Sequence, residues 1–224
     1  MRILAFDTAA AACSAALWRD GKVRAHRFEA MERGQSERLL PMLDEVLAEA
    51  GETYAGLDLL AVTVGPGAFT GLRIGLAAAR GLALAANLPC LGVTTLEAVA
   101  HAVPEAARSG DGLLVALETK REDIYTQTFA NDLRPLDEAR AADPGALELP
   151  AGLVRPVAAG DAAARLPAKL AESTAPGDGL PDATVIADLA ARRWRPGQET
   201  PPPQPLYLRP PMATLPVAGG RLRP

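Results

Sequence analysis

The chain has 224 residues, of which 49% are hydrophobic and 22% are charged, a balance that supports a sizeable core and excludes disorder as the default state. The formal net charge of −4 argues against a protein that grips a nucleic-acid backbone by itself, because such binding needs a clustered basic surface. Two cysteines and an apolar N-terminal run of only four residues lead us to expect a cytoplasmic protein without a membrane anchor.

The first thirty residues predict three strands. Residues 3–6 and 14–18 are apolar runs, and residues 22–28 alternate between apolar and polar side chains. The Asp20-Gly21 pair before the third run is a strong hairpin signal, and the alternation fits an antiparallel strand with one solvated face. We therefore expect a three-stranded antiparallel meander.

Residues 36–50 carry apolar side chains at helical spacing. Ser36 is placed to cap this helix and Gly51 to end it. Pro41 lies beyond the first turn, where it removes a backbone hydrogen bond, so we predict that the regular part of the helix begins near Leu40.

The next segment predicts a strand that runs directly into a tight turn. Residues 57–64 are mostly apolar on both faces, as expected for a strand in a parallel arrangement. Gly65, Pro66 and Gly67 follow, but no lysine comes after Gly71 and the third dinucleotide-fingerprint position is a threonine. We interpret these residues as a structural turn, with Gly71 allowing close helix packing, rather than as a phosphate-binding loop.

Residues 70–87 predict an almost wholly apolar helix. Thr70 is expected to cap it, and the only polar side chains after the cap are Arg73, Arg80 and Asn87. Their spacing of seven places them on one narrow stripe. A helix this apolar has more surface than one sheet can cover, so part of that surface is expected to meet a partner.

The opening pattern returns in the second half of the chain. Residues 89–95 predict a strand and residues 96–107 a helix, and residues 109–112 (SGDG) predict a break between lobes. After the break, residues 115–119 (VALET) match residues 4–8 (LAFDT) in type at every position. This repetition predicts a duplicated fold with two lobes.

The remainder is interrupted by prolines and ends in a basic tail. We predict strands at 124–129 and 154–159 and a helix at 181–194. After position 191 the only acidic residue is Glu199. The same stretch contains the arginines Arg192, Arg193, Arg195, Arg209, Arg221 and Arg223. We interpret this proline-rich tail as solvated, with a contact to RNA or to a partner as the alternative.

Three motifs together resemble the TsaB (YeaZ-like) family. They are GPGAFTGLRIG at 65–75, SERLLP at 36–41 and PLYLR at 205–209. The resemblance implies an α/β fold of the actin/hexokinase/Hsp70-like (ASKHA) class with duplicated lobes, the second one reduced. We accordingly predict an N-terminal lobe at 1–108, a smaller C-terminal lobe at 109–210 and a flexible tail at 211–224.

The same resemblance implies a non-catalytic scaffold in bacterial synthesis of tRNA N6-threonylcarbamoyladenosine. Such a chain pairs with a catalytic paralogue, TsaD, and with an ATPase, TsaE; it pairs with itself when alone and meets tRNA indirectly through the complex. The residues expected at its partner interface lie on the two predicted helices: Leu39, Leu40, Leu43, Leu47, Thr70, Arg73, Ile74, Gly75, Ala78 and Arg80.

Kinase-like ATP binding is the first alternative function. Asp7 and Thr8, with Glu118 in the repeat, occupy the positions that organise phosphate and Mg²⁺ in kinases of this superfamily. The kinase turn has a glycine two residues after the acid, where this chain has Ala9, whose side chain would crowd a phosphate. We therefore expect no tightly bound cofactor from the chain alone, with ATP as a ligand of a vestigial site or of the complex.

A glycoprotease-like (M22-type) peptidase is the second alternative. The catalytic relatives hold a metal with two histidines at helical spacing, whereas this chain has only His26 and His101, on separate predicted elements. Gln35 stands where relatives often keep a histidine, and an amide is a poor metal ligand. We predict no metal site and no catalytic residue.

Overall fold

The computed structural model describes residues 1–171 and 173–209. The predicted flexible tail at 211–224, including Arg221 and Arg223, lies outside the described residues. The described chain contains two five-stranded sheets and four α-helices.

The first sheet has the strand order β3-β2-β1-β4-β5. Its strands are β1 (Arg2–Asp7), β2 (Ala12–Arg19), β3 (Lys22–Ala30), β4 (Leu59–Gly65) and β5 (Cys90–Thr94). The first three strands pair antiparallel, whereas β4 is parallel to β1 and β5 is parallel to β4. The predicted meander and the predicted parallel strand are both confirmed.

The second sheet repeats this topology. Its strands are β6 (Leu113–Glu118), β7 (Ile124–Phe129), β8 (Arg140–Ala142), β9 (Val157–Ala159) and β10 (Ser173–Thr174). The order β8-β7-β6-β9-β10, with β6, β7 and β8 antiparallel and β9 and β10 parallel to β6, corresponds strand for strand to the first sheet. The fold is therefore of the actin/hexokinase/Hsp70-like class, as predicted.

Four helices cover the sheets, and they are α1 (Gln35–Ala50), α2 (Phe69–Ala86), α3 (Thr95–Ala102) and α4 (Ala183–Arg193). One face of the first sheet packs against α1 and α2, and the opposite face packs against α4. The third helix, α3, packs between the two sheets, with Ala98 against the first sheet and Leu96 and Val99 against the second. Single 3₁₀ turns complete the structure at Tyr54–Gly56, Glu105–Ala107, Pro144–Ala146, Ala163–Arg165 and Ala168–Leu170.

The start of α1 differs from the prediction. The helix begins at Gln35 after Gly34, which has a φ of 103° and provides no side-chain cap, so the predicted capping role of Ser36 is wrong. The late start near Leu40 is also wrong, because the helix continues through Pro41. The apolar residues on both sides of that proline are buried against the sheet, and this burial outweighs the loss of one backbone hydrogen bond.

Two other helix ends also differ from the sequence prediction. Ala68, rather than Thr70, precedes the first residue of α2, Phe69, and Thr70 makes no capping hydrogen bond. The third helix stops at Ala102, earlier than predicted, because Pro104 lies two residues beyond it and disfavours the helical conformation of the residue before it.

The last described segment, residues 200–209, is not a solvated tail. It lies against the first lobe, where the side chain of Pro203 is buried and the Leu206 amide donates to the Val64 carbonyl at 2.7 Å. We call this segment the strap. The prediction of a solvated proline-rich tail is wrong for the strap, because prolines favour an extended backbone but do not prevent that backbone from packing.

Candidate functional site, an apolar face on α2

The inner side of α2 packs very closely against the chain that follows β1. Gly71 and Gly75 lie on this side, and a Cβ atom at Gly71 would overlap the carbonyl oxygen of Thr8. A Cβ atom at Gly75 would lie 2.8 Å from the Thr8 hydroxyl, which itself donates to the Gly71 carbonyl at 2.8 Å. Only glycine permits this approach, and it brings the buried side chains of Leu72 and Leu76 onto the sheet.

The outer side of α2 is apolar and uncovered. Leu84 is 86% exposed and Phe69 is 55% exposed. The exposed small residues Ala77, Gly81 and Ala85 extend this surface, whereas Ile74, Ala78 and Leu82 are half-buried against the core of the first sheet. By length and composition alone α2 could cross a membrane, yet only 28% of it is buried within the fold. A contiguous exposed surface of this kind is typical of an interaction site.

The predicted interface residues on α1 do not share this exposure. Leu39, Leu43 and Leu47 are at most 4% exposed and belong to the core beneath the helix, whereas Leu40 is 49% exposed. The first lobe therefore already covers the apolar stripe of α1. Leu39, Leu43 and Leu47 therefore do not belong to an exposed interface, contrary to the prediction, because their side chains offer no surface to a partner.

Arg73 and Arg80 lie at the border between α2 and the strap. The Arg73 guanidinium stacks over the Phe69 ring at 3.7 Å, and its Nε lies 3.4 Å from the hydroxyl of Tyr207. The Arg80 guanidinium donates to the Pro203 carbonyl at 2.6 and 3.1 Å. The predicted polar stripe of α2 is thus occupied by strap contacts.

Sequence reasoning missed three members of this surface. Phe69 lies four residues before Arg73 and Leu84 four residues after Arg80, so both share the helix face of the arginine stripe, although neither was singled out. Tyr207 lies more than a hundred residues away, and nothing in local periodicity indicates that it meets α2. Of the predicted residues, Thr70 is exposed and Gly75 is buried.

Asp7, at the end of β1, is buried on the opposite face of the sheet. The Thr63 hydroxyl and the Ala9 amide both contact one of its carboxyl oxygens, and the other has no partner within the described residues. Burial raises the pKa of Asp7 to about 7, and the nearby carboxylate of Asp182 acts in the same direction, against the lowering effect of the hydrogen bonds. Asp7 therefore is not an exposed acid that could organise Mg²⁺.

The turn after β1 is closed by the chain between β4 and α2. The Ala68 amide donates to the Ala9 carbonyl at 2.8 Å, and a Cβ atom at Gly67 would overlap that same carbonyl oxygen. Gly65 has a φ of 106°, which a glycine adopts readily. The turn after β1 is thus packed tightly against this loop, and Pro66 lies buried within the loop.

Glu118, the counterpart of Asp7 in the second lobe, forms an ion pair instead. Its Oε1 lies 2.7 Å from Nη1 of Arg165 and accepts the Lys120 amide at 2.6 Å. Because Asp7 and Thr8 are buried and Glu118 is paired, these three residues do not fit a bound nucleotide in this arrangement.

His26 and Gln35 each contact another group of the protein. Nε2 of His26 lies 3.2 Å from a carboxyl oxygen of Asp182, and burial lowers the pKa of His101 on α3. The Gln35 side chain donates to the Met31 carbonyl at 3.2 Å. Within residues 1–171 and 173–209, no three histidine, cysteine or acidic side chains converge to hold a metal ion.

Comparison with known proteins identifies the family. Residues 29–162 match the family model described as TsaD, tRNA N6-adenosine threonylcarbamoyltransferase. The chain is 42% identical over 132 residues to the tRNA threonylcarbamoyladenosine biosynthesis protein TsaB of Escherichia coli, and 38% identical over 125 residues to that of Haemophilus influenzae. These alignments cover 59% and 56% of this chain, and 56% and 52% of the two relatives, so the chain matches about half of their length.

A solved structure matches over nearly the whole chain. A Pseudomonas aeruginosa protein, described as uncharacterized with similarity to the peptidase YeaZ, superposes with a TM-score of 0.81 at 28% identity. The superposition covers 93% of this chain and 99% of that one. Together, the two-sheet topology, the closed GPGAFTGLR turn and these similarities show that the chain belongs to the TsaD-related family and is a TsaB/YeaZ-like member of it.

Proposed function

We propose that this chain is a non-catalytic subunit of a bacterial, cytoplasmic complex that makes N6-threonylcarbamoyladenosine on tRNA. In this proposal the outer face of α2 binds a TsaD-like catalytic paralogue and supports its transfer of threonylcarbamoyl to tRNA. The chain pairs with itself when alone, a TsaE-like ATPase joins the complex, and tRNA is met indirectly. The chain itself carries no tightly bound cofactor.

The uncovered apolar face of α2 is the observation that carries this proposal. Removing about 600 Å² of apolar surface from water contributes roughly 15 kcal/mol, against association costs of about 4–15 kcal/mol, so such a face supports stable but exchangeable pairing. The apolar face favours a partner with an apolar helix. Arg73 at the edge of the face favours an acidic side chain opposite its guanidinium. The similarity to TsaB proteins of known name supports the TsaD-like identity of that partner.

The sharpest test introduces a charge on this face without disturbing the fold. Leu84→Glu alters an 86% exposed residue, so its folding is expected to match wild type. Its affinity for the purified TsaD-like paralogue, measured by isothermal titration, should fall at least about tenfold, because an unpaired carboxylate would be buried in an apolar contact. Gly75→Glu is unsuitable for this test, since Gly75 is buried against Thr8 and Val62.

Val154→Glu is the matched control, because Val154 is 68% exposed but belongs to the second lobe. Reconstitution with TsaD-like and TsaE-like subunits should yield modified tRNA with wild type and Val154→Glu, and little with Leu84→Glu. Equal binding and equal activity of the two variants would reject α2 as the partner surface. Sedimentation of the chain alone tests self-association in the same way.

A further inference from the structure

The strap runs along the border of α2 from its middle towards its beginning. The Thr200 hydroxyl accepts the Cys90 amide at 3.1 Å, at the start of β5. Further along, the Arg80 guanidinium of α2 donates to the Pro203 carbonyl. Two elements of the first lobe therefore hold the first half of the strap in place.

The centre of the strap is attached where the first sheet is irregular. The pairing of β4 with β5 shifts between Thr63 and Gly65, so the Val64 carbonyl is left out of the ladder. The Leu206 amide donates to this carbonyl at 2.7 Å, and the Leu206 carbonyl would lie 3.0 Å from a Cβ atom at Gly65. The strap is thus attached to the turn that starts α2.

The strap adds an aromatic ring to the exposed face of α2. The Tyr207 and Phe69 rings lie 5.7 Å apart, and the Arg73 guanidinium contacts both side chains. Tyr207 is 45% exposed and Phe69 is 55% exposed. Half-exposed aromatic residues beside an arginine are the composition typical of interface hot spots.

The end of the strap reaches the second lobe. Leu206 and Leu208 line a cavity of about 260 Å³ between the lobes, which Phe129 of β7 also lines. The Arg209 guanidinium pairs with the carboxylate of Asp123 and lies 5.3 Å from the centre of the Tyr125 ring. One short segment therefore contacts the first sheet, α2 and the second lobe.

We propose that the strap extends the partner surface of α2 through Tyr207 and links that surface to the second lobe through Arg209. Its occupant is the TsaD-like paralogue, so this inference rests on the proposed function. Because Tyr207 and Arg209 are two residues apart in one extended segment, a partner that orders Tyr207 also stabilises the contact of Arg209 with the second lobe. By reciprocity, loosening that contact weakens partner binding.

Three variants separate the two roles of the strap. Tyr207→Ala is expected to weaken binding of the purified paralogue about tenfold, as loss of an aromatic anchor does, whereas Tyr207→Phe, which keeps the ring on Phe69, should recover most of the affinity. Arg209→Ala should weaken binding about threefold by linkage. Arg192→Ala, which removes another surface ion pair on α4, is the matched control and should bind as wild type.

Hydrogen exchange of the full chain supplies one readout without the partner and a second one with the partner bound. In Arg209→Ala the Leu206 amide should exchange at least about tenfold faster than in wild type, with the amides of the first sheet unchanged. In wild type, but not in Arg209→Ala, partner binding should slow exchange in residues 124–129 of β7.

The outcomes distinguish this inference from the proposed function. If Tyr207→Ala and Arg209→Ala bind as wild type while Leu84→Glu does not, the strap inference is overturned and the proposed function stands. If Leu84→Glu also binds as wild type, or wild type does not bind the paralogue, the proposed function and the partner half of this inference are both overturned. Unchanged exchange of the Leu206 amide in Arg209→Ala overturns the link to the second lobe.

Discussion

The two helices α1 and α2 pack on the same face of the same sheet, yet most apolar side chains of α1 are covered whereas many of α2 are exposed. On α1 the apolar stripe is narrow and is opposed by charged residues, of which Arg38 bridges Glu29 and Glu45. On α2 apolar residues surround most of the helix, and the sheet covers only the line that includes Gly71 and Gly75. Apolar content therefore identifies a helix with more apolar surface than the sheet covers, whereas packing decides which part of that surface remains available.

The largest effect is expected from truncating a covered leucine of α1. Leu39→Ala removes a side chain that is 1% exposed and should lower the free energy of unfolding by about 2–5 kcal/mol. Leu40→Ala, its neighbour at 49% exposure, should change it by less than about 1 kcal/mol. Urea unfolding of both variants measures these changes. Equal losses of unfolding free energy would contradict the predicted difference between covered and uncovered apolar residues.

The close approach of α2 gives the next largest effect. Gly71→Ala places a methyl group onto the Thr8 carbonyl oxygen, so α2 must move away from the sheet. The free energy of unfolding should fall by about 1–3 kcal/mol or more, as is usual for overpacking. Thermal unfolding measures the loss, and a variant as stable as wild type would show that the helix is not held this tightly.

The opposite face of the sheet extends the comparison to a buried polar group. The pKa of Asp7 is about 7 in the folded chain, above the value of about 3.9 for an unfolded chain, so the folded state binds a proton that the unfolded state has released. The contribution of Asp7 to stability is therefore present near pH 4 and declines as the pH rises to about 7, by at most about 1.4 kcal/mol per pH unit.

Asp7→Asn keeps a neutral side chain of the same shape and should remove this decline. Melting temperatures of wild type and Asp7→Asn between pH 5 and pH 8 isolate the effect, because the other titratable groups are common to both proteins. Parallel curves for the two proteins would show that Asp7 is ionised throughout this range and that its burial does not shift its titration.

The smallest effect tests the free side of α2. Gly81 is exposed, and no heavy atom lies within 4 Å of a Cβ atom built there. Gly81→Ala should raise the free energy of unfolding by about 0.5–1 kcal/mol, because alanine is the better helix former. The same substitution type thus has opposite signs at Gly71 and Gly81, and destabilisation at Gly81 would indicate that this side is already packed.

Local sequence patterns predict the type and order of most elements. Three local patterns predicted the duplicated fold. They are the hairpin signal at Asp20-Gly21, the apolar strand before Gly65, and the return at 115–119 of the residue types found at 4–8. Local signals failed at Ser36 and Thr70, because capping depends on backbone geometry at the helix start rather than on residue type alone.

Which surfaces are available to a partner depends on the tertiary packing. The burial of Leu39, Leu43 and Leu47, the closure of the turn over Ala9 and the position of Tyr207 beside Phe69 all depend on segments that meet from distant parts of the chain. Periodicity reports how apolar a face is, but burial is set by what packs against it. The apolar character of α2 could therefore be predicted from the sequence, whereas its border, formed by the strap, could not.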